Sequence, residues 1–194
     1  MSGTTNKIKY GLKNVHYAVA TIAADNTATF GTPVPIPGAV NLSMEPQGER
    51  SVFNADNVEY FVSTSNNGYE GDLEIALVPE DFETDIFGAV EDTKHVLFED
   101  TDAPTVHFAL LFQFEGDVKA TKHVFYNCTA SRVNVEGETK GENIEPKTET
   151  LSLAAKAVHF ANIDKNVCKG RTKEDTDATT YSGWFEAVCT PTAV

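Results

Sequence analysis

A row of carboxylates near the end of the chain is the first candidate for a metal site. Asp175-x-Asp177-x-Thr179, with Glu186 at the twelfth position, reproduces the ligand spacing of a helix-loop-helix calcium site. Such a loop needs a glycine at its sixth position, and Thr180 stands there instead. Because neither flank has a helical pattern either, we expect no metal site in this segment.

Three cysteines and five histidines are the other candidate ligands and nucleophiles. The cysteines are odd in number and form no Cys-x-x-Cys pair, which favours free thiols in a reducing compartment; they are Cys128, Cys168 and Cys189. We expect Cys128, which lies in an apolar strand pattern, to be a core residue. The histidines stand singly in or near strand patterns, without metal-ligand spacing, at His16, His95, His107, His123 and His159.

Sequence motifs for catalysis are missing. The chain contains no G-x-S-x-G, no H-E-x-x-H, no Walker loop and no G-x-G-x-x-G. The paired carboxylates Glu80 and Asp81 are better explained by a helix start than by acid–base catalysis. We therefore expect no enzymatic activity, no catalytic residue and no cofactor.

Composition and charge restrict the class of protein. With 194 residues, 41% hydrophobic and 10% aromatic, the chain suits one folded domain, residues 1–194. It has no signal-peptide pattern and no apolar run near the ~20 residues of a membrane span, so we expect a soluble, unexported protein without a membrane partner. The net charge of −14 argues against affinity for nucleic-acid phosphates. Such a surface either confers solubility or repels another polyanion.

The elements that position these side chains centre on residues 69–88, where the hydrophobic period changes. In residues 72–77 the apolar Leu73, Ile75 and Leu77 share one face, and Asp72 and Glu74 share the other. This alternation predicts a half-buried strand.

A short helix is predicted to follow the strand. Pro79 suits the first helical position, and the acidic residues after it suit the positive end of the helix dipole. Phe82 and Ile86 lie four apart on one face, and Gly88 is the residue type that ends a helix in the left-handed conformation. The helix should therefore cover a sheet.

The same stretch carries a family resemblance, together with two segments upstream. These are Phe53-Asn54-Ala55-Asp56-Asn57 with Val58-Glu59-Tyr60-Phe61, and Gly11-Leu12-Lys13-Asn14-Val15-His16-Tyr17. In order and spacing the chain resembles a bacteriophage major tail protein, the tail-tube subunit of long, non-contractile tails. The similarity spans most of the chain.

The resemblance implies a structural virion protein of the phage tail, made in the host bacterial cytoplasm. Its copies would stack as hexameric rings into a β-lined tube through which genomic DNA passes without specific binding. Implied partners are other copies of the chain and the tail tape-measure, tail-tip and terminator proteins.

Residues 45–68 mix strand alternation with loop-like segments, and a long protruding hairpin satisfies both patterns. Exposed aromatic side chains there would form an apolar patch suited to an interface. Our candidates for contacts between successive rings are Arg50, Phe53, Asp56, Asn57, Tyr60 and Phe61. The alternative is that these aromatics fold back onto their own sheet.

The rest of the chain reads as mainly β. Residues 1–14 suggest an N-terminal arm, residues 124–130 and 151–157 a paired hairpin, and residues 165–194 a C-terminal loop followed by a strand. Trp184 either packs on the edge of the sandwich or contacts a neighbour. We predict an antiparallel β-sandwich or partly closed barrel, with one short flanking α-helix, a long hairpin loop and terminal arms.

Three functions from different classes remain open: a self-assembling tube subunit, a carbohydrate-binding or adhesive β-sandwich, and an enzyme on a β scaffold. The resemblance favours the first. In a tube, like-charged walls would keep DNA mobile, and Asp72 and Glu74 are candidates to face the lumen. They could equally face outside solvent or a subunit contact.

Overall fold

One antiparallel sheet organises the computed structural model, which describes residues 5–139 and 146–193. Nine strands belong to it: β1 (Lys9–Ile22), β2 (Ala28–Phe30), β3 (Val34–Pro35), β4 (Ala39–Gln47), β7 (Gly68–Ile75), β10 (His107–Gly116), β11 (Thr121–Ala130), β12 (Glu149–Lys156) and β15 (Lys169–Arg171). The main path runs β2-β1-β10-β11-β12-β7-β4, with β3 on β1 and β15 on β11. Within the described ranges, the strands do not close into a barrel.

Three two-stranded pairs and three helical segments complete the described chain. The strand pairs are β5 (Arg50–Ala55) with β6 (Val58–Thr64), β8 (Val90–Glu91) with β9 (Leu97–Phe98), and β13 (Val158–Phe160) with β14 (Lys165–Val167). The helical segments are α1 (Glu80–Phe87), α2 (Ala178–Ser182) and a 3-10 turn (Gly183–Phe185). The predicted mainly-β, antiparallel, sandwich-like fold with a long hairpin is confirmed.

Around β1, β10 and β11 the central sheet is buried on both faces, so two apolar cores form. On one face α1 covers a core of large side chains, chiefly Tyr17, Leu73, Phe82, Phe108, Leu110 and Leu151. On the other face β13, β14 and the C-terminal helical segments cover a second core, which includes Leu111, Val124, Tyr126, Val158 and Trp184. The alternation along β10 thus sends apolar side chains into two different cores.

The strand-to-helix transition follows the prediction to within one residue. Pro79 is the N-cap, with φ −66° and ψ 142°, and the helix begins at Glu80. Phe82 and Ile86 are buried, and Gly88 ends the helix at φ 70°. Leu77 was placed wrongly on the inner face: β7 ends at Ile75, so Leu77 falls in the turn and is 69% exposed.

The predicted N-terminal arm is largely wrong. β1 begins at Lys9 and pairs with the far end of β10, where Lys9 lies opposite Gly116. The Asn6 side-chain amide donates to Lys119 O at 2.5 Å, and the Lys7 N–H donates to Asp117 Oδ1 at 2.8 Å. The described part of this segment is therefore tied to the sheet. β10 extends as far as Gly116, and the first residues of β1 pair with its last residues.

The predicted C-terminal loop and strand also differ from the structure. Two short strands, β14 and β15, fall in the expected loop, and helical segments replace the expected strand from residue 181. Asp177 caps α2 by accepting from the Thr180 N–H at 3.0 Å, so the carboxylate that mimicked a calcium ligand begins a helix. Trp184 is buried and donates its Nε1–H to His123 O at 3.3 Å. The described ranges thus contain two α-helices, where one was predicted.

Two predictions about the cysteines and the hairpin of the sheet are met. Cys128 is fully buried, and its burial raises the pKa of the thiol. β11 pairs with β12, with Cys128 opposite Ala155.

Within the described ranges, no helix has the length and apolarity that crossing a membrane would require, and no three His, Cys, Asp or Glu side chains gather as a metal site would need.

Candidate assembly surfaces

The hairpin of β5 and β6 continues the β4–β7 ribbon beyond the sheet. The Asn67 N–H donates to Gln47 O at 2.8 Å, and the Ser65 N–H donates to Glu49 O at 3.0 Å. These bonds carry the antiparallel ladder from the sheet into the hairpin. Residues 50–64, which we call the hairpin, are therefore a protruding arm and not a separate unit.

A tight turn closes the hairpin at Asp56 and Asn57. Both residues have positive φ, 53° and 61°. Two adjacent positive φ angles are typical of a type I′ turn, whose twist matches that of paired strands. Asp and Asn are the non-glycine residues that adopt this conformation most readily. Two of the six predicted contact residues thus have an explanation within the subunit.

The hairpin aromatics lie in solvent. Phe53 is 62% exposed, Tyr60 73% and Phe61 61%. Phe53 and Phe61 lie opposite each other across the two strands, and a register shift follows at Asn54. The aromatics therefore do not fold back onto their own sheet, which was the alternative expectation.

Arg50 has a partner in its own hairpin. Its guanidinium lies 2.6 Å from Glu59 Oε2, and both side chains are more than half exposed. An exposed pair of this kind contributes little to stability. Of the predicted contact residues, only the aromatics Phe53, Tyr60 and Phe61 remain without a role inside the described subunit.

Asp72 and Glu74 lie on the outer face of β7, at the β4–β7–β12 side of the sheet. Asp72 accepts from Ser152 Oγ at 2.8 Å, and Glu74 accepts from Thr148 Oγ1 at 2.6 Å. Asp72 is exposed and Glu74 is half-buried. These hydrogen bonds hold the two carboxylates in a polar strip on the sheet. That this strip faces a lumen stays a prediction.

Charge is segregated along the chain, a feature that counting by segment would have found. Residues 39–105 contain sixteen acidic and two basic residues, a net charge of −14. All other residues together contain thirteen of each, a net charge of zero. The whole net charge therefore belongs to β4, the hairpin, β7, α1 and the β8–β9 pair.

Sequence reasoning missed a basic cluster at the opposite end of β10 from α1. Lys9, Lys169 and Arg171 come from β1 and β15 and converge near His123 on β11. Burial, together with the positive charges of Arg171, Lys9 and Lys169, lowers the pKa of His123 to about 4. Strand pairing brings these residues together from distant parts of the chain, so no local motif marks them.

Further exposed apolar side chains were also missed. Val90 and Phe98 form the cross-strand pair of β8 and β9 and are 57% and 55% exposed. Ile8 and Tyr10, at the start of β1, are exposed to a similar degree. In the sequence these residues look like ordinary strand positions, and their exposure appears only with the fold.

Comparison with known proteins finds similarity at the level of structure and none at the level of sequence families. No family model matches the chain, and no curated protein matches it. Among solved structures, it is similar to a chain of the structure titled "Cryo-EM structure of the anti-feeding prophage (AFP) baseplate, 6-fold symmetrised". The identity is 11% and the TM-score 0.47, over 87% of this chain and 97% of that one.

Proposed function

We propose that this protein is a structural subunit of a phage tail tube, which assembles with copies of itself into stacked, hexameric rings around a channel for DNA. The observation that carries the proposal is the hairpin, whose three aromatic side chains are each more than 60% exposed. The resemblance to major tail proteins in order and spacing supports the same assignment. The proposal assigns the protein no catalytic activity and no cofactor.

Energetics supports an intersubunit role for the hairpin. Fully burying one large apolar side chain is worth about 1.5–3 kcal/mol, so three exposed aromatics represent several kcal/mol that only a partner can realise. The type I′ turn and the ladder of hydrogen bonds hold the aromatics away from the subunit's own core. Aromatic anchors presented on a structured arm are typical of the centre of an interface.

The asymmetry of the subunit supports polymer growth. The arm leaves one end of the sheet, and in a stack it would dock on a different surface of the next copy. Contacts between two different surfaces generate closed rings or continuing stacks. In a tail, continuing stacks would be ended by the terminator and tail-tip proteins, with the tape-measure protein inside the tube.

The acidity of the chain fits passage of DNA. A hexamer would carry roughly −80 charges, by multiplication of the charge of one chain under closed-ring symmetry. Acidic walls offer phosphates no counterion-releasing contact and so would not retain the duplex. Asp72 and Glu74 are our candidates for this wall, since their outer face is polar and continuous across β4, β7 and β12.

The proposal is tested by removing the hairpin at its base. Glu49 and Ser65 are hydrogen-bonded across the ribbon, so residues 50–64 can be replaced by Asn-Gly, a two-residue turn. We expect wild-type protein to form rings and tubes in negative-stain electron microscopy, and the shortened protein to stay a folded, small species.

A milder variant controls for the deletion. Phe53→Ser with Phe61→Ser keeps the turn and the ladder but removes the apolar contact, and it should also fail to form tubes. Tubes of wild-type length from the shortened protein would contradict the role of the hairpin. A wild-type protein that stays monomeric at high concentration and binds glycans on an array would instead support the carbohydrate-binding alternative.

A further inference from the structure

The basic cluster presents three positive charges that have no carboxylate partner among the described residues. Lys9 Nζ lies 4.9 Å from the centroid of the Phe114 ring, and Lys169 Nζ lies 4.3 Å from the centroid of the Tyr69 ring. Lys9, Lys169 and Arg171 are exposed, and none has a carboxylate within 4 Å in the part of the chain that the structure describes. In a chain with a net charge of −14, unpaired cations held over aromatic rings form a surface suited to an acidic partner.

One nearby carboxylate is already engaged. Glu174 accepts from the Asn6 N–H at 3.2 Å, and hydrogen bonding to backbone N–H groups lowers the pKa of its carboxyl, with a smaller contribution from Arg171. Glu174 therefore stays ionised but does not form an ion pair with the cluster. The three cations keep their capacity for carboxylates from another molecule.

A strongly acidic surface of the subunit is the acidic lobe, residues 80–102, which comprises α1 and the β8–β9 pair. It holds nine carboxylates and one lysine, whereas residues 45–68 hold four carboxylates and one arginine. The lobe also exposes the apolar pair Val90 and Phe98. It thus combines negative charge with apolar area, as the cluster combines positive charge with the exposed Ile8 and Tyr10 beside it.

The two surfaces lie at opposite ends of one strand. Phe82 of the lobe packs on Phe108, with ring centroids 5.6 Å apart, and Lys9 of the cluster lies over Phe114. Phe108 and Phe114 are six positions apart along β10, which corresponds to about 20 Å along a strand. The lobe and the cluster of one subunit are therefore too far apart to pair with each other, but they can pair between copies stacked head to tail.

The hairpin shares the end of the subunit with the basic cluster. Lys169 covers Tyr69, which follows Gly68, the first residue of β7 after the hairpin. The aromatics of the hairpin and the cations of the cluster therefore face the same neighbour. The lobe, at the other end of β10, is available to the neighbour on the opposite side.

From this arrangement we infer that the basic cluster Lys9, Lys169 and Arg171 docks on the acidic lobe of a second copy, and so forms the charged part of the contact between successive rings. This inference rests on the proposed tube assembly and adds to it the surface that the next ring presents. Charge pairing of this kind fixes the direction and register of stacking, because the opposite orientation would bring like charges together.

Charge reversal tests the pairing. A cluster variant with Lys9→Glu, Lys169→Glu and Arg171→Glu, and a lobe variant with Glu80→Lys, Glu91→Lys and Asp102→Lys, should each raise the critical concentration for stacking at least tenfold. All six positions are exposed, and circular dichroism checks the fold of each variant. A chain with all six changes should stack again near the wild-type concentration, since the pairing is restored with opposite sign.

A control variant separates local pairing from total charge. Lys147→Glu, Lys156→Glu and Lys165→Glu change the net charge by the same amount outside the cluster, and this variant should stack like the wild type. Equal mixing of the cluster and lobe variants should restore long stacks in which the two variants alternate. The reversed cluster of one variant then meets the reversed lobe of the other, and the unchanged cluster meets the unchanged lobe.

The results distinguish a failure of the pairing between cluster and lobe from a failure of the tube proposal. If wild-type protein forms tubes and the cluster variant forms them at the same concentration, the inference is wrong and the tube proposal stands. If wild-type protein forms no tubes at any concentration, both are wrong. If the cluster variant stacks normally but loses binding to a fluorescent DNA duplex that the wild type binds, the cluster is a polyanion site and the inference is again wrong.

Discussion

Two antiparallel ribbons of this molecule are both rich in aromatic residues and have opposite environments. They are the core ribbon, β10 with β11, and the hairpin, β5 with β6. Phe108 in the core ribbon is fully buried, whereas Phe61 in the hairpin is 61% exposed. Alternation therefore determines that a ribbon forms, and the elements packed on its faces determine what its apolar side chains do.

Topology is the cause of the difference. The core ribbon lies in the middle of the sheet, between β1 and β12, and has α1 on one face and the C-terminal segments on the other. The hairpin grows out from β4 and β7 at the sheet edge, beyond the elements that cover the sheet. Its cross-strand pairs and its turn are enough to form the two-stranded ribbon. Burial of its apolar side chains would have to come from an assembly partner.

The same substitution, phenylalanine to alanine, should affect the stability of the two ribbons very differently. Phe108→Ala should destabilise the subunit by about 3–5 kcal/mol, the cost of a large cavity in a packed core. Phe61→Ala should change the free energy of unfolding by less than about 0.5 kcal/mol, as exposed positions do. Urea unfolding of dilute protein, followed by circular dichroism, measures both values. A loss above 2 kcal/mol for Phe61→Ala would mean that the hairpin packs on its own subunit.

Much of the fold was predictable because its signals are local. The strand-to-helix transition at Pro79 depends on neighbouring residues, and the ends of the helix fell where turn and cap chemistry placed them. The exposure of Phe53, Tyr60 and Phe61 was not decided by the sequence, since alternation is the same in a covered and an uncovered ribbon. Leu77 shows the limit of the method, because it lies two residues beyond the end of β7, where the alternation of the strand no longer holds.

The candidate surfaces were harder to predict than the fold. Lys9 and Arg171 are 162 positions apart in the chain, and pairing of β1 and β15 with the central strands brings both beside His123. Asp177 shows the converse error, where a spacing that suggested ligands is explained by a helix cap. Local sequence patterns therefore found the hairpin, which is continuous in sequence, and missed the cluster, which is not.

The core ribbon also contains a histidine in a packed environment, so the stability of the subunit should depend on pH. His123 stacks on Phe112 at 5.1 Å, and burial together with three nearby cations lowers its pKa to about 4, so the neutral form is favoured in the folded state. In the unfolded chain the pKa is near 6.5, so the unfolded state binds more protons between about pH 6.5 and 4. Stability should therefore be fully present above pH 6.5 and fall with pH through this window, by up to about 3 kcal/mol.

Urea unfolding at pH 7 and pH 4.5 measures this loss. His123→Phe keeps an aromatic ring on Phe112 and removes the titrating group, so the difference between the two pH values should shrink. His95→Gln, in the exposed β8–β9 turn, is the matched control and should leave the difference unchanged. If His123→Phe retains the full wild-type loss at pH 4.5, other groups cause the pH dependence.

The smallest expected effect is in the hairpin, and it concerns the ion pair of Arg50 and Glu59. Their charged atoms are 2.6 Å apart, but both side chains are 55% exposed, so water screens the attraction. A double-mutant cycle of Arg50→Ala and Glu59→Ala, measured by urea unfolding of the monomer, should give a coupling free energy of about 0.2–0.5 kcal/mol that falls with added salt. The same cycle measured on tube formation should give a larger coupling, because a neighbour that covers the aromatics also removes water from the pair beside them. Equal coupling in the two measurements would mean that the hairpin stays solvated in the assembly and that the contact between rings lies elsewhere.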